Sequence, residues 1–426
     1  MADRFVKIGG SNVLDGLTLG NAWETPAYGA ANVGSTNTLK FDDGTYDSRD
    51  SYWTSLPSGT ASTDTTVTAI NNGAVTFKLL TGLSSPSRVM QLASESHYIT
   101  INGIVMDGDN RSGDGIHYGA SNVSSHITLT NCTIKQVTGV GMDVSRSEFN
   151  LVEGCLFQDV THYGVYNNGG NNTYRGNTFD TCLRLGITAH SNGNSYSGVV
   201  VERNLFKNCG YHPTLPQGSI IFYNSQHMGS VIRNNIIWAC RRGPQVDGGT
   251  ANHTIVHNIS YACTNEGLLV IANGCTIRNN ILLENGTNYS LSGTGNTSDH
   301  NQVTGVGTDY WLSPSTGDFT LLDNATTQAN VIDQGINVGV TDDYLGNIRP
   351  VNNIVDIGHI EFGTAAPPEP PILGHLGNYV VVAGVESLIA VTLSDGDSNT
   401  KNLTVTATGN TAVRLGTSTN ITVTSP

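Results

Sequence analysis

Four side chains near the middle of this 426-residue chain have types and spacing that suit acid–base chemistry. Tyr166, Asn168, His190 and Tyr223 each lie in or just after a short segment of alternating apolar and polar residues. In β-elimination of a uronate, a base removes the C5 proton, an acid protonates the leaving oxygen, and a polar or cationic group stabilises the enolate. We interpret His190 as the base, Tyr223 or Tyr166 as the acid, and Asn168, helped by Arg184, as the group that neutralises the carboxylate.

A recurring position through the centre of the chain predicts the scaffold that holds these side chains. Cysteine or asparagine occupies it at steps of 23, 22, 27, 31, 23 and 22 residues. Its members are Cys132, Cys155, Asn177, Asn204, Asn235, Asn258 and Asn280. A period in this range is typical of a stacked repeat fold. Because the units are short, β-branched, punctuated by glycine and without helical period, we predict an all-β solenoid, a right-handed parallel β-helix.

A second signal in each unit is a glycine that opens an alternating strand, in which the residue after the glycine points inward and the next points outward. The outward residues on successive coils are His117, Asp143, Tyr166 and Thr188, with Asn168 and His190 two positions further along and Tyr223 and Asp247 assigned to the same place in later coils. Neighbouring coils lie about 4.8 Å apart, so His190 should lie within one coil of Asn168 and of Tyr223. An extended glycan fits along such a row.

Two long insertions, from Ser191 to Gly198 and from Gly210 to Gln217, flank the coils that carry His190 and Tyr223. Long loops on a regular scaffold are where binding sites concentrate. Tyr211 and His212 in the second insertion are predicted to form one wall of a sugar groove. The predicted substrate-binding residues are His117, Arg184, Tyr211, His212 and Asp247. The alternative is ordinary surface decoration of a solenoid.

Two other functions remain open at this stage. A glycoside hydrolase needs a pair of carboxyl groups about 5 to 10 Å apart, and Asp114 with Asp143, on adjacent coils, is the best pair. A glycan-binding or phage tail-spike protein would use the same face for adhesion without cleavage. We therefore expect a carbohydrate-active protein, with a polysaccharide lyase favoured over a hydrolase and over a non-catalytic binder.

Hard oxygen ligands are dense in the segment from Asp107 to Asp114, where Asp107, Asp109 and Asp114 are candidate ligands for calcium. A cation there would offset negative charge near an anionic glycan. The spacing differs from that of an EF-hand loop, and turns rich in Asp and Asn are common in solenoids.

The composition limits the classes of partner. The formal net charge is −14, which argues against nucleic acid and anionic membrane as partners, because both require basic patches. No apolar run reaches transmembrane length, and the first residues lack the apolar core of a secretion signal. We expect an extracellular or virion-associated protein that binds a polysaccharide as a monomer or a phage-type trimer. Six of the seven cysteines fall in two repeat registers, and valine occupies the second register in earlier coils, so we predict buried thiols.

Four segments are predicted. Residues 1–97 form an N-terminal cap with the first coils, 98–363 the parallel β-helix, 364–372 a stiff proline-rich linker, and 373–426 a small Ig-like or cadherin-like β module whose short length suggests a truncated module. Within the second segment, Arg349, Asp356 and Glu361 are predicted to form a structural ion-pair cluster.

Several phrases resemble those of known β-helix proteins. The start, with Phe5-Val6-Lys7-Ile8-Gly9-Gly10, Asn21-Ala22-Trp23 and Gly44-Thr45-Tyr46, resembles the pectate-lyase-like superfamily of carbohydrate-active and phage proteins. The stretch from Asp343 to Glu361 resembles the ending of bacterial β-helix proteins.

One coil, from Asn172 to His190, is similar to family 6 polysaccharide lyases. Those enzymes carry a lysine base where this chain has Asn168, an arginine acid where it has His190, and calcium-ligating glutamates where it has Thr161 and Tyr163. The resemblance implies the same fold, with different residues at the catalytic positions.

Overall fold

The computed structural model describes residues 2–78, 88–111, 113–118, 124–190, 195–223, 227–351 and 353–363, and the two short strands Ile372–Leu373 and Leu393–Ser394, which pair antiparallel. The chain divides into two compact units, Met1–Gly363 and Thr364–Pro426. Apart from those two strands, the predicted linker and the predicted Ig-like module lie outside the described residues. Their character stays a prediction.

In the described residues of the first unit, three long parallel sheets run along the solenoid, and successive coils add one strand to each sheet in turn. Sheet 1 consists of twelve strands: Asp3–Val6, Thr38–Phe41, Thr65–Ala69, His97–Asn102, Ser125–Thr130, Leu151–Glu153, Thr173–Arg175, Val200–Glu202, Val231–Arg233, Thr254–Val256, Thr276–Arg278 and Thr297–Asp299. Sheet 2 consists of ten strands: Gly44–Asp47, Val75–Lys78, Ile104–Asp107, Thr133–Val137, Leu156–Val160, Thr178–Cys182, Leu205–Lys207, Ile236–Trp238, Ile259–Tyr261 and Ile281–Leu283. Sheet 3 consists of nine strands: Arg88–Leu92, Asp114–Tyr118, Met142–Ser145, Tyr163–Asn168, Leu185–Ala189, Gly218–Phe222, Gln245–Val246, Leu269–Val270 and Ser290–Leu291.

The repeated asparagines form a buried hydrogen-bonded ladder at the turn between sheet 1 and sheet 2. In each step, a side-chain oxygen accepts from the backbone and side-chain nitrogens of the asparagine one coil earlier. The Oδ1 of Asn204 accepts from the Asn177 N at 2.9 Å and the Asn177 Nδ2 at 3.0 Å. The Oδ1 of Asn235 accepts from the two corresponding nitrogens of Asn204 at 3.0 Å each. This pattern satisfies the polar groups of a tight buried turn and explains the spacing in the sequence.

The interior is a narrow apolar column. Phe157, Phe179 and Phe206 stack on successive coils, with ring centroids 4.8 and 4.7 Å apart and rings nearly parallel. The seven cysteines are all buried free thiols, as the alternation with valine predicted. Because each coil buries few side chains, stacking between coils supplies most of the packing.

The N-terminal end of the column is covered. The first helix, Pro26–Asn32, begins after Thr25, whose side chain accepts a hydrogen bond from the Tyr28 N, and a short helix at Asp50–Trp53 follows. The segment that ends at Trp23 pairs with the outer edge of strand Asp3–Val6. The backbone N–H of Trp23 donates to the Phe5 carbonyl at 2.8 Å. This pairing removes an open strand edge.

The C-terminal part of the first unit packs over sheet 2. It contains the 3₁₀ turns Gly307–Asp309 and Pro314–Thr316, an antiparallel hairpin of strands Trp311–Ser313 and Asp318–Leu321, and the helix Ala325–Asn330. Arg349 and Glu361 form a fully buried ion pair with Nη1 and Oε2 3.4 Å apart, and Arg349 Nη1 donates to the Asp356 carbonyl at 3.1 Å. The structure thus shows the ion pair between Arg349 and Glu361, whereas Asp356 contacts Arg349 through its backbone carbonyl. In the described residues, no helix combines the length and apolarity needed to cross a membrane.

Candidate active site

The outward face of sheet 3 carries two rows of side chains whose register the strand pairing fixes. One row contains Gln91, His117, Asp143, Tyr166, Thr188, Ile221 and Gln245. The second row contains Ser145, Asn168, His190, Tyr223 and Asp247. Backbone bonds from the His190 N to the Asn167 O at 2.8 Å and from the Tyr223 N to the Ala189 O at 2.9 Å extend the ladder past the strand ends. His190 therefore lies between Asn168 and Tyr223, as the glycine register predicted.

An aromatic cluster, formed by Tyr163, Tyr166, His190 and Tyr223, lies on this face. The rings of Tyr166 and His190 are roughly parallel with centroids 6.2 Å apart, and those of His190 and Tyr223 meet edge to face at 5.7 Å. Tyr163 and Tyr166 are 5.6 Å apart. All four side chains are half-buried. The structure thus brings together three of the residues predicted to be catalytic.

Arg184 and Gln217 connect one side of this cluster. The guanidinium carbon of Arg184 lies 4.6 Å from the centre of the Tyr163 ring, a cation–π contact. Arg184 Nε donates to Gln217 Oε1 at 3.0 Å, and Gln217 Nε2 donates to the hydroxyl of Tyr223. The sequence did not identify Gln217 or Tyr163 as site residues. The available signal was that Gln217 ends a long insertion directly before a strand of sheet 3.

The surroundings of Tyr223 determine its protonation. Burial raises the pKa of Tyr223 to about 12, and the negative charge that Tyr163 and Asp247 would carry acts in the same direction. Arg184 and the hydrogen bond from Gln217 act in the opposite direction. The phenol therefore keeps its proton at neutral pH. A protonated hydroxyl next to an imidazole suits a general acid.

Two predicted site residues are more buried than expected. The side chain of His117 points outward but is 3 % exposed, and its Nδ1 lies 3.1 Å from Asp143 Oδ2. Asp143 also accepts a hydrogen bond from Ser145 Oγ at 2.6 Å. Asn168 is 3 % exposed, and its Oδ1 has no hydrogen-bond partner among the described residues. His117 therefore offers almost no surface to a glycan, whereas Asn168 lies one coil from His190 with an acceptor unused.

The two aspartates of the hydrolase hypothesis lie at different heights along their strands. Asp114 opens its strand, with its Oδ2 3.1 Å from Arg88 Nε and its Oδ1 accepting from the Val140 N at 3.0 Å. Asp143 is in register with His117, three residues further along, which corresponds to about 10 Å along the strand. Because each also has its own partner, the structure does not hold these carboxyl groups as a facing pair.

The predicted calcium ligands each have a cationic partner. Asp107 Oδ2 lies 3.5 Å from Lys135 Nζ. Asp109 lies 3.0 Å from Lys78 Nζ and 2.6 Å from Arg111 Nη2, and these cations lower the pKa of its carboxyl. Across the described ranges, no group of three or more His, Cys, Asp or Glu side chains is placed to hold a metal ion. Calcium binding here stays a prediction and would have to compete with these ion pairs.

The insertion from Gly210 to Gln217 lies beside the aromatic cluster. The ring of His212 meets that of His162 at 5.6 Å, and its Nδ1 accepts from the Leu215 N at 3.1 Å. Tyr211 is 42 % exposed. The structure describes the other long insertion, from Ser191 to Gly198, only from residue 195 onward. Asp247, at the far end of the second row, accepts from Gln245 Nε2 at 2.7 Å.

Comparisons with known proteins agree with this architecture. A family model described as a right handed beta helix region matches residues 67–228. The solved structure of pectate lyase Pel9A superposes with a TM-score of 0.58 at 16% identity, covering 85% of this chain and 96% of that chain. A rhamnogalacturonan lyase superposes with a TM-score of 0.54 at 12% identity, covering 76% of this chain and 95% of that chain. The GH136 lacto-N-biosidase from Eubacterium ramulus superposes with a TM-score of 0.52 at 12% identity, covering 71% of this chain and 68% of that chain. A search of curated proteins gave no match.

These matches agree with the predicted fold, a right-handed parallel β-helix. At such low identities the likeness establishes the fold alone. The reaction has to be argued from the side chains on sheet 3.

Proposed function

We propose that this protein is a carbohydrate-active enzyme, a polysaccharide lyase that cleaves an extended uronate-containing glycan by β-elimination. The observation that carries the proposal is the pairing of His190 with a protonated Tyr223 on adjacent coils of one exposed face, with ring centroids 5.7 Å apart. The similar solved structures include two lyases and one glycosidase, which supports a glycan as the partner.

The spacing of the two rings suits the two proton transfers of the reaction. The C5 hydrogen and the O4 oxygen of a uronate are on neighbouring carbons, so the base and the acid must approach within a few ångströms of each other. His190 takes the C5 proton, and the C5–H electron pair moves into the carboxyl group as an enolate. The enolate pair then forms the C4–C5 double bond as the C4–O4 bond breaks, and the Tyr223 hydroxyl protonates the departing O4.

Stabilisation of the enolate is assigned to Arg184, with Asn168 able to help only through its amide N–H groups, because its unused Oδ1 is an acceptor. Arg184 carries a positive charge beside the cluster, and only its Nε is used by Gln217 among the hydrogen bonds of the described residues. The planar guanidinium can therefore still bind a carboxylate through other N–H groups. A local cation of this kind is needed, because the whole chain carries a net charge of −14 and would otherwise repel a polyanion.

The common orientation of the base and the acid favours particular uronates. Since both side chains approach from the same face, the proton and the leaving oxygen should depart from the same side of the sugar ring. Glucuronate and mannuronate linked through O4 present the C5 hydrogen and O4 on one side. Galacturonate and guluronate present them on opposite sides. We therefore expect polymers of the first two to be cleaved.

The test is a comparison of His190→Ala, Tyr223→Phe and the unchanged protein on glycans of both stereochemical classes. Cleavage is followed by the ultraviolet absorbance of the new double bond and, in parallel, by reducing ends. Tyr289→Phe is a matched control, because it removes a phenol hydroxyl that donates to Ser298 Oγ at 2.8 Å on a distant coil. The proposal requires both site variants to lose the absorbance signal while the control keeps it. Full activity of His190→Ala would refute the assignment of the base.

A further inference from the structure

We propose that Gln217 and Arg184 act as positioning residues that fix the direction in which Tyr223 donates its proton. This inference rests on the proposed lyase function and deepens it. It concerns a chain of two hydrogen bonds, from Arg184 Nε to Gln217 Oε1 and from Gln217 Nε2 to the Tyr223 hydroxyl. We refer to Arg184, Gln217 and Tyr223 as the relay.

The direction of the relay follows from which atoms can donate. A guanidinium has only donors, so the atom of Gln217 that faces Arg184 Nε must be the amide oxygen. The amide nitrogen then faces Tyr223 and can only donate to it. Because the phenol oxygen accepts this bond, its own hydrogen is directed to another acceptor. With a glycan on the outward face, that acceptor is the leaving O4.

The relay is held from several coils, so its geometry does not depend on one flexible side chain. The backbone N of Arg184 donates to the His162 carbonyl at 3.0 Å, and its guanidinium lies over the Tyr163 ring. Gln217 directly precedes the strand that ends before Tyr223. On the next coil, Arg241 Nη1 donates to the Pro216 carbonyl at 3.2 Å and fixes the end of the insertion.

The discriminating substitution is Gln217→Glu, which keeps the shape of the side chain and reverses its role. A glutamate accepts from both neighbours, so the Tyr223 hydroxyl would donate to it instead of to the substrate. We expect kcat at saturating substrate to fall roughly 10²-fold, the lower end of what a general acid contributes. Gln217→Met is the matched control, because it removes the bond without capturing the phenol proton. It should reduce kcat only a few-fold relative to the unchanged protein, by the loss of positioning alone.

A double-variant comparison separates the relay from a purely structural role. In a Tyr223→Phe background there is no proton to direct, so Gln217→Glu should cause no further loss. An equal loss in both backgrounds would overturn the inference. Equal losses of kcat from Gln217→Glu and Gln217→Met would also overturn it, since displacement of the loop alone would then explain both losses.

A spectroscopic readout tests the relay without relying on activity. The ¹³C resonance of the Tyr223 phenol carbon, assigned by its loss in Tyr223→Phe, should move toward the phenolate position in Gln217→Glu and not in Gln217→Met. If the unchanged protein cleaves no glycan, the proposed function fails and this measurement alone decides the relay. The same resonance position in both Gln217 variants would refute it.

Discussion

Replacing Asn204 by aspartate should destabilise the β-helix strongly, although the two side chains have nearly the same shape. Asn204 is fully buried. Its Oδ1 accepts from two nitrogens of Asn177, and its Nδ2 donates to the Tyr174 carbonyl at 2.9 Å and to Asn235 Oδ1 at 3.0 Å. Aspartate preserves the acceptor and removes both side-chain donors. A carboxylate oxygen then faces two other oxygens in a fully buried site.

The size of the effect follows from these partners. The Tyr174 carbonyl loses its side-chain donor, whereas Asn235 Oδ1 keeps the bond from the Asn204 backbone N. A buried polar group left without its hydrogen bond costs about 1–3 kcal/mol, so the free energy of unfolding should fall by at least about 1–3 kcal/mol. The buried carboxyl will also take up a proton more readily than in the unfolded chain, so its folded-state pKa is raised. The destabilisation should therefore be largest at neutral pH and should shrink as pH falls toward the ordinary pKa of aspartate, near 4.

The assay is urea denaturation followed by circular dichroism at neutral and at mildly acidic pH. Asn337→Asp is the matched control, because Asn337 is exposed and its Oδ1 accepts from the Gly339 N, a bond that aspartate preserves. The control should stay within about 0.5 kcal/mol of the unchanged protein. If Asn204→Asp behaved like the control, or if its destabilisation did not depend on pH, the ladder would not stabilise the fold in the way described.

The remaining predictions concern the acid and the buried histidines. Tyr223→Phe should lower kcat for eliminative cleavage about 10²–10⁴-fold, the usual contribution of a general acid, with unchanged circular dichroism; a loss below about threefold would exclude this role. Burial lowers the pKa of His253 to about 4 and also lowers that of His227. The unfolded chain therefore binds more protons, so the stability present above pH about 6.5 is lost as pH falls from there toward 4. His253→Asn, which can still accept from the Ser230 N, should reduce this acid loss by at most about 3 kcal/mol, measured as unfolding free energy against pH; equal slopes in both proteins would contradict the assignment.

The sequence predicted the scaffold well because its signals are local and repeated. A buried turn that must satisfy its backbone polar groups favours an amide at one position in most coils, with cysteine there in two others, so the period of this position gives the coil length directly. Strand alternation then determines which side chains face outward, and from the sequence alone this predicts that His190 lies between Asn168 and Tyr223. Both predictions use only the period of the chain.

The sequence does not determine the direction in which each side chain points or how deeply it is buried. Gln217 lies at a junction between a loop and a strand, where alternation does not fix its direction, so its contacts with Arg184 and Tyr223 were not predicted. His117 was expected at the surface, but it is buried with its Nδ1 3.1 Å from Asp143 Oδ2 on the next coil. Asp114 and Asp143 are on adjacent coils, yet their separation depends on their positions along the strands.

The most direct test of the central claim is incubation of the purified protein with alginate, pectate, chondroitin and neutral glycans, each with and without calcium. Double-bond absorbance and reducing ends are measured together. The proposed mechanism predicts new absorbance with chondroitin or with mannuronate-rich alginate, and its loss in His190→Ala. Reducing ends without absorbance would contradict β-elimination and indicate hydrolysis. No signal of either kind with glycan still bound would contradict catalysis and leave a binding protein.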